Sequence, residues 1–129
     1  MNTTTVEVKA TGLAIGDAAE ASGVSAHTLR YYERAGLMRP IEREGNGHRL
    51  YSDDDLGWIQ VLTKLRRTGM PIRTMRRYAE LVFAGDGNER ARLALLEAHR
   101  DEVSAELVEL QRCLEFIQFK IERYTEKMT

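Results

Sequence analysis

Apolar residues along this chain fall into short helical stripes that glycine and proline cut apart, until residue 88, beyond which neither occurs again. Ile15, Ala18 and Ala19 share one helical face and predict a helix over Ile15–Ser22, broken by Gly23. Ser25 is a suitable N-cap for a second helix, Ala26–Ala35, which Gly36 ends. Two helices joined by so short a turn form a helix-turn-helix pattern, which by itself is common in proteins that never touch DNA. In Arg39–Tyr51 the triplet Gly45-Asn46-Gly47 tolerates positive φ and is flanked by segments able to pair, which predicts a hairpin or wing. Ser52 followed by Asp53, Asp54 and Asp55 is a helix start, because a capping hydroxyl and first-turn carboxylates suit the positive helix end. That helix carries Leu56, Ile59, Leu62 and Leu65 and stops at Gly69. Pro71 fits the first turn of another, with Ile72, Met75, Ala79 and Val82 on one face and an end near Gly85.

The pattern then changes. From about Asn88 to Lys127, Leu93, Leu96, Val103, Leu107, Leu110, Leu114, Ile117, Ile121 and Tyr124 recur on alternating steps of three and four, with Arg100 in the one polar slot. This is a heptad seam. A helix of that length reaches roughly 58 Å, too far for a small head to cover its stripe. It is expected to pair with a second copy as a coiled coil, which the family resemblance given below makes antiparallel. The resulting organisation is a polar, disordered leader over 1–12, a head over 13–84 and a dimerisation helix over 88–127. The fold class is mainly α: a winged helix-turn-helix head with a long C-terminal helix.

Charge changes this picture only slightly. The net charge of −1 divides into 12 Lys and Arg against 9 Asp and Glu over residues 1–78, and 7 against 11 over residues 79–129. A basic head and an acidic helix permit a phosphate-binding surface but do not require one. No run of about 18 apolar residues predicts a membrane span, and the leader lacks the apolar stretch of a secretory signal. A single cysteine, Cys113, cannot form an internal disulfide, in keeping with a reducing, cytoplasmic setting. An enzyme finds no support: there is no glycine-rich phosphate loop and no legible catalytic triad, and His27, His48 and His99 fall in three separate elements. An architectural or excision-type DNA-binding protein sharing such a head is disfavoured by the long heptad helix.

The stretch Thr28–Leu37 carries the candidate chemistry. A recognition helix needs small or polar residues at its N-terminal end to meet base edges, and donors to grip phosphates. Ser25, Ala26, His27 and Thr28 meet the first need; Arg30 and Tyr31 meet the second. Adjacent helix positions point about 100° apart, so Tyr32 is expected partly in the core and Tyr31 turned outward.

The segments Ile15-Gly-Asp-Ala-Ala19, Leu29-Arg-Tyr-Tyr-Glu33, Arg39-Pro40, Gly47-His-Arg-Leu-Tyr51, Asp53-Asp-Asp-Leu56 and Gly69-Met-Pro-Ile72, followed by the long helix, resemble the MerR family of transcription regulators. The resemblance implies that Arg30, Tyr31 and Tyr32 contact DNA from the recognition helix and that Arg49 and Tyr51 do so from the wing. His27 and Thr28 match positions near base edges, and His48 stands where the family usually has tyrosine. Arg66 and Arg67 are weaker candidates, because arginines on exposed helix faces are ordinarily solvated. The resemblance also implies dimers on double-stranded promoter DNA with a long spacer. Bending and untwisting that DNA acts on RNA polymerase indirectly, through the promoter.

No metal or cofactor is expected, and the effector is left open. Cys113 has no second thiolate or imidazole near it, and soft metals need two or more such ligands. Its apolar neighbours Leu114, Phe116 and Ile117 predict a buried, inert thiol. The ending Phe119–Tyr124 resembles the short subgroup that responds to aldehydes or electrophiles, and the chain ends at Thr129 with no room for a large ligand domain. Lys64 occupies the position where that subgroup often carries its reactive cysteine.

Overall fold

A computed structural model describes residues 12–129; the leader expected over 1–12 lies, but for Gly12, outside the described residues. Contacts within the chain divide it into two units between Asn88 and Glu89.

The first unit begins with α1 (Ile15–Ser22) and α2 (Ala26–Arg34), antiparallel strands β1 (Glu42–Arg43) and β2 (Arg49–Leu50), and helices α3 (Asp53–Arg67) and α4 (Ile72–Phe83). Local chemistry sets these boundaries. Gly23 ends α1 at φ +73°, a left-handed conformation that a side chain would strain. The Ser25 hydroxyl accepts from the Thr28 N–H at 3.1 Å and so opens α2. At α3 the cap is reciprocal: Ser52 Oγ accepts from Asp55 N–H, while Asp55 Oδ2 accepts from Ser52 N–H at 2.9 Å. Pro71 stands just outside α4, as its N-cap, rather than in its first turn.

The wing strands pair Glu42 with Leu50 and Arg43 with Arg49. Gly47 (φ +85°) turns the hairpin, and the Asn46 side chain accepts from the His48 N–H at 3.0 Å. One pairing has no counterpart in the sequence reading. Leu13 and Tyr51 exchange backbone hydrogen bonds of 2.8 and 2.7 Å, fixing the start of the described chain to the wing's second strand.

Each helix contributes one side to a shared core of Ala18, Leu29, Tyr32, Leu37, Ile59, Leu62, Met75 and Ala79. Complete burial of a leucine or isoleucine in such a core stabilises by about 1.5–3 kcal/mol. In α4, Leu81 is buried while Val82 and Ile72 are half-buried, so the inward face is wider than one stripe. After the helix, Asn88 Nδ2 donates to the Leu81 carbonyl at 2.8 Å and ties the following segment to the end of α4. The first unit therefore continues to Asn88, past the expected limit at residue 84.

The second unit is α5 (Glu89–Met128), 40 residues without a break and without one buried side chain. It spans about 60 Å. Cys113, expected to be buried, is exposed here, as is every residue after Val103. A lone helix explains this, since neighbours on one cylinder cannot cover each other's outward faces.

Candidate nucleic-acid interface

The two faces of α2 have different work. Leu29 and Tyr32 point into the core, Tyr32 at 1% exposure. His27, Arg30 and Arg34 are exposed, and Tyr31 is half-exposed, at helical spacing on the opposite side. The tyrosine pair thus splits as its 100° separation requires, with ring centroids 6.4 Å apart and planes tilted by 50°. Tyr32, expected among the DNA contacts as well as partly in the core, is a core residue; its ring has no surface left for a nucleic acid.

At the helix's N-terminal end, Ser25 is exposed but employed. Its hydroxyl accepts from Thr28 N–H and donates to Thr28 Oγ1 at 2.9 Å. Ser25 is thus committed to the cap, while the Thr28 hydroxyl serves there only as an acceptor and His27 is exposed beside it.

The wing supplies Arg49 and the exposed His48. Arg49 Nε donates to Glu33 Oε1 at 2.6 Å, an ion pair between strand β2 and helix α2. Glu33 Oε2 also faces Arg43 of β1 at 3.8 Å, and Arg43 Nη1 donates to the Gly47 carbonyl at 3.0 Å. A single carboxylate from α2 therefore faces arginines of both wing strands.

Tyr51 is a second correction. Expected to touch DNA from the wing, it is wholly buried, and its hydroxyl has no hydrogen-bond partner. Its place in the Leu13 bridge draws the ring inward. Burial pushes its pKa above the ordinary tyrosine value; Arg49 and Arg30 pull the other way, and Glu33 and Asp55 add to the rise. Arg66 and Arg67 are exposed on α3.

Sequence reasoning missed two supports of this surface. One is Glu33, noticed only as part of a motif, because its arginine partner is 16 residues away. The other is Trp58, whose indole N–H donates to the Leu37 carbonyl at 2.6 Å. Its ring stacks on Tyr78 (5.9 Å, 19°) and tilts against Phe83 (5.4 Å), while the Arg39 guanidinium lies 5.0 Å over the Phe83 ring. Arg76 Nε donates to the Ala35 carbonyl at 2.9 Å. The turn that ends α2 is thereby fastened to α3 and α4, which fixes the helix's direction. Trp58, Val82, Phe83, Arg39, Asp54 and Asp55 also line a cleft of about 250 Å³.

Residues 13–81, more than half of the chain, match the MerR HTH family of regulatory proteins. The chain belongs to the MerR family. An uncharacterized HTH-type transcriptional regulator of Haemophilus influenzae is 37% identical over 107 residues, covering 83% of this chain and 79% of that one. The crystal structure of a Listeria monocytogenes protein assigned to the MerR family superposes with a TM-score of 0.82 at 40% identity, over 87% of this chain and 85% of that one. HiNmlR, a MerR family regulator lacking the sensor domain and bound to promoter DNA, superposes with a TM-score of 0.82 at 35% identity, over 89% and 91% of the two chains. The relatives of this MerR-family chain are transcription regulators rather than enzymes, and the chain is accordingly a transcription regulator. Among the described residues no helix is long and apolar enough to cross a membrane.

Proposed function

We propose that this regulator binds promoter DNA as a homodimer, with α2 in the major groove, the wing on the flanking backbone and α5 pairing two copies as an antiparallel coiled coil. The observation that carries the DNA half is the exposed edge of α2, namely His27, Arg30 and Tyr31, tied to the wing's Arg49 through Glu33. A DNA-bound relative of the same fold supports it. His27 and Thr28 read base edges; Arg30, Tyr31 and Arg49 grip phosphates. His48, exposed at the wing's turn, adds a backbone contact. Distortion of the promoter then acts on RNA polymerase through the DNA itself. A cytoplasmic location goes with this role, and no metal or cofactor is assigned to it.

Salt dependence separates grip from readout. Arg30→Ala is expected to weaken binding to every duplex and to flatten the slope of log affinity against log salt by about one unit. His27→Ala is expected to cost about 1–3 kcal/mol at particular base pairs and to leave the slope alone. An Arg30→Ala slope equal to that of wild type would remove the phosphate role.

A further inference from the structure

We propose that Glu33 is a positioning residue for DNA binding: it holds Arg49 by the Nε–H, so that the four N–H bonds of the terminal nitrogens are presented together to a phosphate. The inference rests on the DNA-binding reading above and adds to it a residue whose charge has the wrong sign for a direct contact.

A carboxylate near the DNA-facing edge of α2 repels phosphate, so its presence there calls for a physical reason. Its surroundings supply one. The Glu33 and Arg49 side chains are only 19% and 23% exposed, and their contact is a short, charge-assisted bond of 2.6 Å. The i,i+3 pairs Arg77–Glu80 and Arg112–Glu109 differ on both counts, being 60% or more exposed and 3.5 Å or longer. Among the described residues Glu33 is the one partner of the Arg49 guanidinium, and it engages a single donor of five. The remaining four form the planar fork that matches a phosphate.

The wing needs this support. Its strands are two residues each, and an isolated hairpin of that length is not stable in water. Backbone pairing to Leu13 anchors the base of β2, but between that bridge and the hairpin's turn the tie to α2 is Glu33, on Arg49 and more distantly on Arg43. Glu33 stands three residues after Arg30, one helical turn along. The distance between the helix's phosphate grip and the wing's is thus set through a single side chain. Without it, Arg49 would have to be ordered on the DNA at an entropic cost that free rotation of a long side chain always carries.

The test is affinity for a duplex that the wild-type protein enriches from a random-sequence pool, measured for wild type, Glu33→Ala, Glu33→Gln, Arg49→Ala and the Glu33→Ala/Arg49→Ala double variant. Glu33→Ala is expected to weaken binding about tenfold although it removes a repelling charge. Glu33→Gln keeps an oxygen acceptor for the Nε–H and is expected to recover most of that loss. In the Arg49→Ala background the alanine at 33 should cost nothing more. NMR without DNA gives a separate readout: the Arg49 Nε–H should exchange slowly in wild type and Glu33→Gln, and fast in Glu33→Ala. Binding by Glu33→Ala as tight as wild type or tighter would show that the carboxylate merely repels DNA and overturn the proposal. Equal losses with and without Arg49 would overturn it too, since Glu33 would then act on the fold rather than through the arginine. A wild type that enriches no duplex would instead remove the DNA reading, and this inference with it.

Discussion

The head and the long helix use the same apolar residues to opposite effect. Over residues 12–88, Leu29, Leu37, Ile59, Leu62 and Met75 are buried completely, because glycines and prolines let four short helices turn back on one another. Over Glu89–Met128, Leu107, Leu110, Ile117 and Ile121 are each more than half exposed, because nothing interrupts the helix and its stripe has only its own cylinder for company. Exposed apolar surface on that scale marks an interaction face, and the heptad spacing matches a second helix. The difference teaches that the head covers its own apolar residues, whereas the helix leaves its stripe uncovered for the second copy proposed above. In the proposed dimer, a regulator divided in this way would join its proposed DNA-binding surfaces in pairs without altering either.

The largest expected effect breaks this contrast at the helix. Replacing Leu107 and Leu110 with aspartate places four charges in the proposed dimer seam, at a cost of several kcal/mol. Sedimentation should then show a monomer or an unfolded chain, and a folded, dimeric double variant would refute the pairing role. The matching control is Leu62→Ala in the head. It should lose about 2–5 kcal/mol, by the same amount at every protein concentration, whereas losses in α5 should grow on dilution.

Much of this division was legible in the sequence, and the reason is locality. The bounds of α1, the start of α2, the cap at Ser52 and the uninterrupted α5 all follow from residues within a few positions of one another. The candidate surface was legible in part: His27 and Arg30 are exposed and Tyr31 half-exposed on α2, as helical spacing required. What escaped is long-range. The Leu13–Tyr51 bridge, the Glu33–Arg49 pair and the Trp58 bond to Leu37 join residues 16 or more positions apart, and no periodicity encodes such partners. Tyr51 shows the cost of carrying a role over by resemblance alone. The resemblance implies a wing contact there, yet the residue pairs with Leu13 and its ring is wholly buried.

Tyr51 also provides the smallest expected effect. Its hydroxyl is buried and unpartnered, so Tyr51→Phe should leave the head as stable as before or up to roughly 1–3 kcal/mol more stable. The pH dependence has a definite sign. Burial raises the folded-state pKa above 10.0, so the folded protein keeps its proton while the unfolded tyrosine releases its own. Stability is therefore full below that value and falls as pH rises past it. The phenylalanine variant should lack this alkaline loss in a denaturation series. It should also bind DNA as wild type does, and a clear weakening would return Tyr51 to the contact surface.

Hydroxyl-radical footprinting of the wild-type protein on a duplex it selects tests the central claim most directly. Two heads joined by one α5 pair predict two protected patches related by a two-fold axis, one or more helical turns apart, filling together over one range of protein concentration. A single patch, or two patches that fill independently, would contradict it.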